Sequence, residues 1–267
     1  MSKFIESEII KELADLTYTM WSMGWDEKNG GNVSIILSEE QISQLESSQA
    51  SQKVSLANIP TNLVGKYILI TASGSNFRVL RNDLIHCTGV VKVTADGYEI
   101  VWGFADNNRP TSEIYMHLLS HSARVSVDPT HRVIVHNHAT EISAMTFVHE
   151  LDEQKLTRTL WGIITECVVV FPDGIGVLPW MVCGNEDIGV ATAKKMLDCR
   201  IVIWAHHGIL ASGSSLEDAL GLIETVNKAA KIYMMTYQKP LTTGITDSEL
   251  WAVCEAFDLT PKAGYLK

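Results

Sequence analysis

The sequence predicts a single domain of the α/β or α+β class, and three observations carry that reading. Helical and strand-like patterns alternate along the chain instead of separating into an all-helix and an all-strand part. At 267 residues, 46% of them hydrophobic, the chain can bury most of the surface its unfolded form exposes, without disulfide staples. No internal repeat is visible.

Taken in order, Ile5, Ile9, Leu13, Leu16 and Met20 recur every three or four residues, the period of one helix face. Residues 6–23 are therefore expected as an amphipathic helix, with Gly24 placed to stop it. The loop 24–32 (Gly-Trp-Asp-Glu-Lys-Asn-Gly-Gly-Asn) then feeds a strand over 33–37. Residues 38–60 are rich in Ser, Gln and Glu and poor in large apolar side chains. They read as a solvated insertion, because strand-like sequence resumes at 66–71. A small-residue loop, 71–76, follows. Strands at 90–93 and 98–102 flank Asp96-Gly97, a hairpin signal. Arg109-Pro110-Thr111-Ser112-Glu113 opens a helix running towards Arg124. Residues 132–138, 166–171 and 200–205 are strand-like. Ser214-x-x-Glu217 and Thr246-x-x-Glu249 read as capping boxes of two later helices.

Thirty-one acidic against twenty-one basic residues, a net charge of −10, argue against a nucleic-acid partner, which needs a basic footprint. The same excess disfavours an anionic membrane, and any anionic ligand whose site lacks local positive charge. No apolar run approaches the roughly 18–20 residues that span a bilayer. Glu6 falls where a signal peptide needs an apolar core, and the five cysteines contain no CxxC pair. Reduced, mostly buried thiols in a cytoplasmic protein are expected.

The most informative segment is Val133-Ile134-Val135-His136-Asn137-His138. On a strand, His136 and His138 point to the same side, about 6.5–7 Å apart, a spacing that suits two corners of one tetrahedral ion. A catalytic zinc site needs a third protein ligand and an open position. A second strand end, Trp204-Ala205-His206-His207-Gly208, offers one. A lone His-x-His also fits two surface or hydrogen-bonded histidines; the second histidine pair favours the metal. His117 and His121 form a rival i, i+4 pair, but without the internal acid of H-E-x-x-H they read as structural. His86, His131 and His149 have no partner pattern.

Glu113 is the candidate acid/base, although by itself a carboxylate there only complements a helix N-terminus. Gly30-Gly31-Asn32, Ser73-Gly74-Ser75 and Thr111-Ser112 are short loops rich in N–H and hydroxyl donors. With no Lys or Arg among them they still suit a phosphate, though each also fits an ordinary turn. No P-loop or G-x-G-x-x-G is present, so nucleotide binding is not indicated.

Together these segments resemble the class II aldolase/adducin family over about residues 21–237. The shared marks, in order, are Gly30-Gly31-Asn32, Ser73-Gly74, Pro110-Thr111-Ser112-Glu113, His136-Asn137-His138-Ala139 and His206-His207-Gly208. The resemblance implies one domain with a central, largely antiparallel sheet flanked by helices, a three-layer sandwich. It implies zinc-dependent cleavage between C3 and C4 of a small ketose 1-phosphate, through an enediolate of dihydroxyacetone phosphate. One Zn2+ per subunit would be bound by His136, His138 and His207, the last preferred to His206 because the family's ligand directly precedes the glycine. Glu113 would move the proton at C3. Asn29, Gly31, Asn32, Ser73, Gly74, Thr111 and Ser112 would hold the phosphate, with Thr111 standing where relatives often have Ser. Glu166 would reach the aldehyde end from a neighbouring subunit of a homotetramer whose active site lies at the subunit interface. The family also holds aldolases for other ketose phosphates, a pentose-phosphate epimerase and non-catalytic adducin-like modules. The last lack the histidine triad that this chain retains.

Overall fold

The computed structural model describes residues 3–45, 52–239 and 243–267. The N-terminal periodic stretch folds as α1 (Glu8–Ser22), burying Ile9, Ile10, Leu13, Leu16 and Met20 along one side. Gly24, at φ +75°, follows its C-cap in the left-handed region that ends a helix cheaply. Then come β1 (Asn32–Ile36), α2 (Glu39–Ser43), β2 (Gln52–Ser55), β3 (Tyr67–Thr71), and the one-turn α3 (Phe77–Leu80) and α4 (Leu84–Cys87). The predicted hairpin is β4 (Thr88–Thr94) and β5 (Gly97–Gly103). The second half runs α5 (Ile114–Val127), β6 (Val133–Asn137), α6 (Thr140–Met145), α7 (Glu153–Trp161), α8 (Glu166–Val170), β7 (Ile175–Leu178) and α9 (Glu186–Met196). It closes with β8 (Ile201–Trp204), β9 (Gly208–Gly213), α10 (Leu216–Thr236) and α11 (Asp247–Ala256).

Among the described residues the strands form one nine-stranded sheet, ordered β2-β5-β4-β3-β1-β6-β9-β8-β7. Every pairing is antiparallel except β7 with β8. Strand alternation sends Val33, Ile35, Val133, Val135, Ile201 and Ile203 into a core with α1, α6, α7, α8, α10 and α11. Their neighbours Ile134, Val202 and Trp204 pack the opposite way, with residues of α5 and α9. The result is helix, sheet, helix: the mixed class read from the alternating pattern, and the largely antiparallel sheet implied by the resemblance.

Two local readings need correction. The stretch 166–171 is α8 with Phe171 as its C-cap, not a strand, although Val168, Val169 and Val170 favour one. Cys167, Val168 and Phe171 are buried, the i, i+1, i+4 spacing of a helix docked by one face, and tertiary packing overrides a β preference that is largely contextual. The later cap is Ser215, whose side chain accepts from the Asp218 N–H, while Ser214 donates its own N–H to Asp218 Oδ2. The Ser214/Glu217 box is thus one residue out of register. The Thr246/Glu249 box is present as read. Within 38–60, Ser38 caps α2 in a complete capping box with Gln41, and β2 adds the outermost strand on β5. The part of that stretch from 46 to 51 lies outside the described residues. Four of the five cysteines are buried and all are free thiols, with Cys183 exposed.

Candidate metal centre

Sheet register assembles the site. Asn32, the first residue of β1, pairs with His136 on β6, and His136 pairs with Leu210 on β9. The turn between β8 and β9 carries His206 and His207, so the end of β6 meets that turn directly. Gly208 permits the approach: a Cβ there would fall 2.4 Å from the Asn137 carbonyl oxygen and 3.0 Å from carbons of both His136 and His138.

The rings of His136, His138 and His207 stand 5.0–5.3 Å apart, centroid to centroid, each edge-on to the next. One nitrogen of each lies within 4.8 Å of the others. His136 is the telling member. Its Nδ1 donates to the Ile209 carbonyl at 3.1 Å, which leaves the Nε2 lone pair free; that atom is buried and has no hydrogen-bond partner. An orphaned buried acceptor beside two other imidazoles is what a divalent cation would satisfy. His138 is set the same way, its Nδ1 donating to Glu27 Oε1 at 2.7 Å. A carboxylate behind a ligating histidine fixes its tautomer and raises its basicity. Burial, then the neighbouring imidazoles His138 and His207, hold His136 well below the usual histidine value. Burial and then His138 lower His207 to about 4, partly offset by Glu27. Both are therefore neutral near pH 7, the form that binds metal. His206 turns away at φ +62°, its backbone N–H on the Thr146 hydroxyl and its ring against Phe147.

Glu113 is not inside a helix turn but is itself the N-cap of α5, and its side chain caps nothing. The carboxylate instead points across to the sheet. Oε2 accepts from Asn32 Nδ2 at 2.8 Å and lies 3.6 Å from His136 Nε2. Burial raises its pKa; the Asn32 hydrogen bond and then the electrostatic influence of His138 pull it back. The Thr111 N–H donates to the Thr71 carbonyl and the Ser73 N–H to the Arg109 carbonyl, so the loop after β3 and the start of α5 are stitched together.

A cavity of about 360 Å³ opens over the triad and Glu113. Asn29, Gly31, Asn32, Ser73, Gly74, Thr111 and Ser112, predicted from three separate loops, all line it. Asn32 already uses both ends of its amide, on Glu113 and on His117. Four lining residues were missed: Glu27, Lys28, Ala72 and Cys183. Lys28 corrects the expectation of a donor set without cationic side chains; it sits between Glu27 and Asn29 in the same loop, so loop membership was a usable signal. Cys183 brings its sulfur within 4.8 Å of ligand atoms of Glu113 and His207, and nothing in its sequence context foretold this. Glu166 is exposed on α8 and does not line the cavity.

The family model described as the class II aldolase and adducin N-terminal domain matches residues 11–234. A rhamnulose-1-phosphate aldolase of Listeria welshimeri is 47% identical, covering 100% of this chain and 98% of the relative. One from Enterococcus faecalis is 44% identical over 98% and 96% of the two chains. Among solved structures, a sugar-phosphate aldolase from Thermotoga maritima superposes with a TM-score of 0.72 at 28% identity, over 88% of this chain and 97% of its own.

Proposed function

This chain belongs to the class II aldolase and adducin family, and we propose that it is a zinc-dependent aldolase of rhamnose catabolism. It cleaves L-rhamnulose 1-phosphate, reversibly, to dihydroxyacetone phosphate and L-lactaldehyde. The substrate is carried by similarity along the full chain to rhamnulose-1-phosphate aldolases. The chemistry is carried by one observation: the orphaned, buried Nε2 of His136, gathered with nitrogens of His138 and His207 and 3.6 Å from the carboxylate of Glu113.

His136, His138 and His207 would hold the ion, three neutral donors that leave its positive charge undiminished and a fourth position open. Bound there, zinc supplies a Lewis acid for the negative charge left on the dihydroxyacetone phosphate fragment when the C3–C4 bond breaks. A three-imidazole donor set suits zinc, with cobalt or manganese as alternatives. Glu113 returns a proton to C3 after cleavage and removes it in synthesis. Its burial raises its pKa towards working pH, as a general acid/base requires. Ser73, Gly74, Thr111, Ser112, Asn29 and Gly31 bind the phosphate, and Lys28 on the same rim supplies the local positive charge that a net charge of −10 otherwise denies it. Asn32 orients Glu113. Glu166, outside the cavity of its own chain, serves the aldehyde end of a neighbouring subunit in a cytoplasmic homotetramer.

The test is a coupled assay for dihydroxyacetone phosphate release from L-rhamnulose 1-phosphate, run beside L-fuculose 1-phosphate. Turnover of the first, abolished by a chelator and restored by zinc, is expected. Preference for the second compound, or full activity in the metal-stripped protein, would overturn the reading. A Glu166→Ala variant should lose activity while its own triad keeps its metal.

A further inference from the structure

The pair His117 and His121, which the sequence offered as a rival metal site, faces the sheet beside Asn32 and builds a continuous polar chain into the interior. His117 Nε2 lies 2.6 Å from Asn32 Oδ1. Ser34 Oγ lies 2.6 Å from His117 Nδ1 and 2.7 Å from His121 Nε2. Ser34 and both histidines are fully buried. The interleaving has a simple metric cause. Glu113, His117 and His121 recur every four residues, a rise of about 6 Å on a helix, while Asn32 and Ser34 recur every two, about 6.6 Å on a strand. Side chains of α5 and β1 therefore alternate like teeth: Glu113, Asn32, His117, Ser34, His121.

The donors and acceptors can be assigned from one end. Asn32 presents its N–H to the Glu113 carboxylate, so its carbonyl oxygen must take a proton from His117 Nε2. Burial holds His117 well below the ordinary histidine value and lowers His121 to about 3, so both rings are neutral. His117 Nδ1 is then an acceptor for the Ser34 hydroxyl, and Ser34 Oγ accepts from His121 Nε2–H. His121 Nδ1 ends the chain, buried without a partner. A carbonyl-first orientation of Asn32 would set oxygen against oxygen at Glu113, and the later links would survive only with both rings in the opposite tautomer, which leaves His121 Nδ1 as a buried N–H with no acceptor.

We propose that His117, Ser34 and His121 are positioning residues for the reaction: they lock the Asn32 amide with its N–H towards Glu113 and so hold the carboxylate at its working place beside the metal triad. The inference rests on the aldolase reading above. Its reach is the proton-transfer step, not substrate capture, because neither histidine lines the cavity.

His117→Phe keeps a planar ring and removes both nitrogens; His117→Gln keeps a donor for Asn32 and an acceptor for Ser34. In His117→Phe, kcat on L-rhamnulose 1-phosphate should fall by about 10–100-fold, as expected for a misplaced catalytic group. KM should stay within about twofold and zinc content be unchanged, and His117→Gln should recover most of the loss. Exchange of the C3 proton of dihydroxyacetone phosphate with deuterated water should fall by the same factor. If His117→Phe does not fold, Ser34→Ala carries the same test, with a smaller loss in kcat at unchanged KM. Independently of activity, the imidazole 15N spectrum of the wild-type protein should show His117 as the Nε2–H tautomer. A folded variant with wild-type kcat, a Gln variant no better than Phe, or an Nδ1–H tautomer would overturn the inference. Failure of the wild-type protein to cleave the substrate would instead strike the functional reading alone.

Discussion

Nε2 of His136 stands 3.6 Å from Oε2 of Glu113, outside hydrogen-bond range, and the two groups converge from different elements without satisfying each other. His136 comes from the end of β6 and Glu113 from the cap of α5. Such a pair, one lone pair orphaned and one carboxylate desolvated, costs stability unless a cation and a substrate complete it.

Glu113→Gln should therefore separate chemistry from metal binding. The amide is nearly isosteric but transfers no proton, so turnover should drop by about 10²–10⁴-fold while zinc content and the melting curve stay close to wild type. Steady-state kinetics with metal analysis on the same sample decides it, and near-normal turnover would remove Glu113 from the mechanism.

His136→Ala and His207→Ala should each lose the metal, because two remaining imidazoles make a weak site. Zinc content after dialysis is the measurement. Full occupancy in His207→Ala would move the third ligand to His206, whose ring now rests on Phe147.

Glu27 touches no reacting atom, yet its carboxylate holds His138 at 2.7 Å. Glu27→Ala should weaken metal affinity by about 10–100-fold, the usual effect of removing a carboxylate behind a ligating histidine. Competition with a chromophoric chelator reads this directly; an unchanged dissociation constant would show His138 to be oriented by other contacts.

Asp26 yields a pH prediction. Its Oδ2 accepts from the Phe77 N–H, its Oδ1 has no partner, and burial lifts its pKa from 3.8 to about 7, with Phe77 opposing and Glu27 adding to the rise. The folded protein thus keeps a proton that the unfolded chain releases near pH 4. Stability from this group is present below pH 3.8 and is lost as pH rises to about 7. Asp26→Asn cannot ionise, so its melting temperature relative to wild type should climb between pH 5 and pH 8, by on the order of 5 °C. A constant difference across that range would contradict the assignment.

Much of the fold was legible because hydrophobic period and turn chemistry are local. The α1 stripe, the Asp96-Gly97 hairpin and the Thr246 box needed no distant partner to be recognised. The misread elements were those decided by what they pack against. Residues 166–171 carry β-branched side chains, yet their buried face is a helix face. Ser214 and Ser215 are chemically alike, and only the path of the chain into α10 selects the second as cap.

The sequence by itself determined the chemical inventory: two strand-borne histidines at strand spacing, a third before a glycine, one glutamate at a helix start, and donor-rich loops. It also carried the family resemblance, since motif order survives without coordinates. Tertiary structure alone decided that Asn32 turns its amide to Glu113 and that His117 and His121 lie against Ser34. These are matters of register between β1 and β6 and of helix α5 against the sheet. A single residue of slip reverses a side chain on a strand, and no local pattern encodes the partner across it.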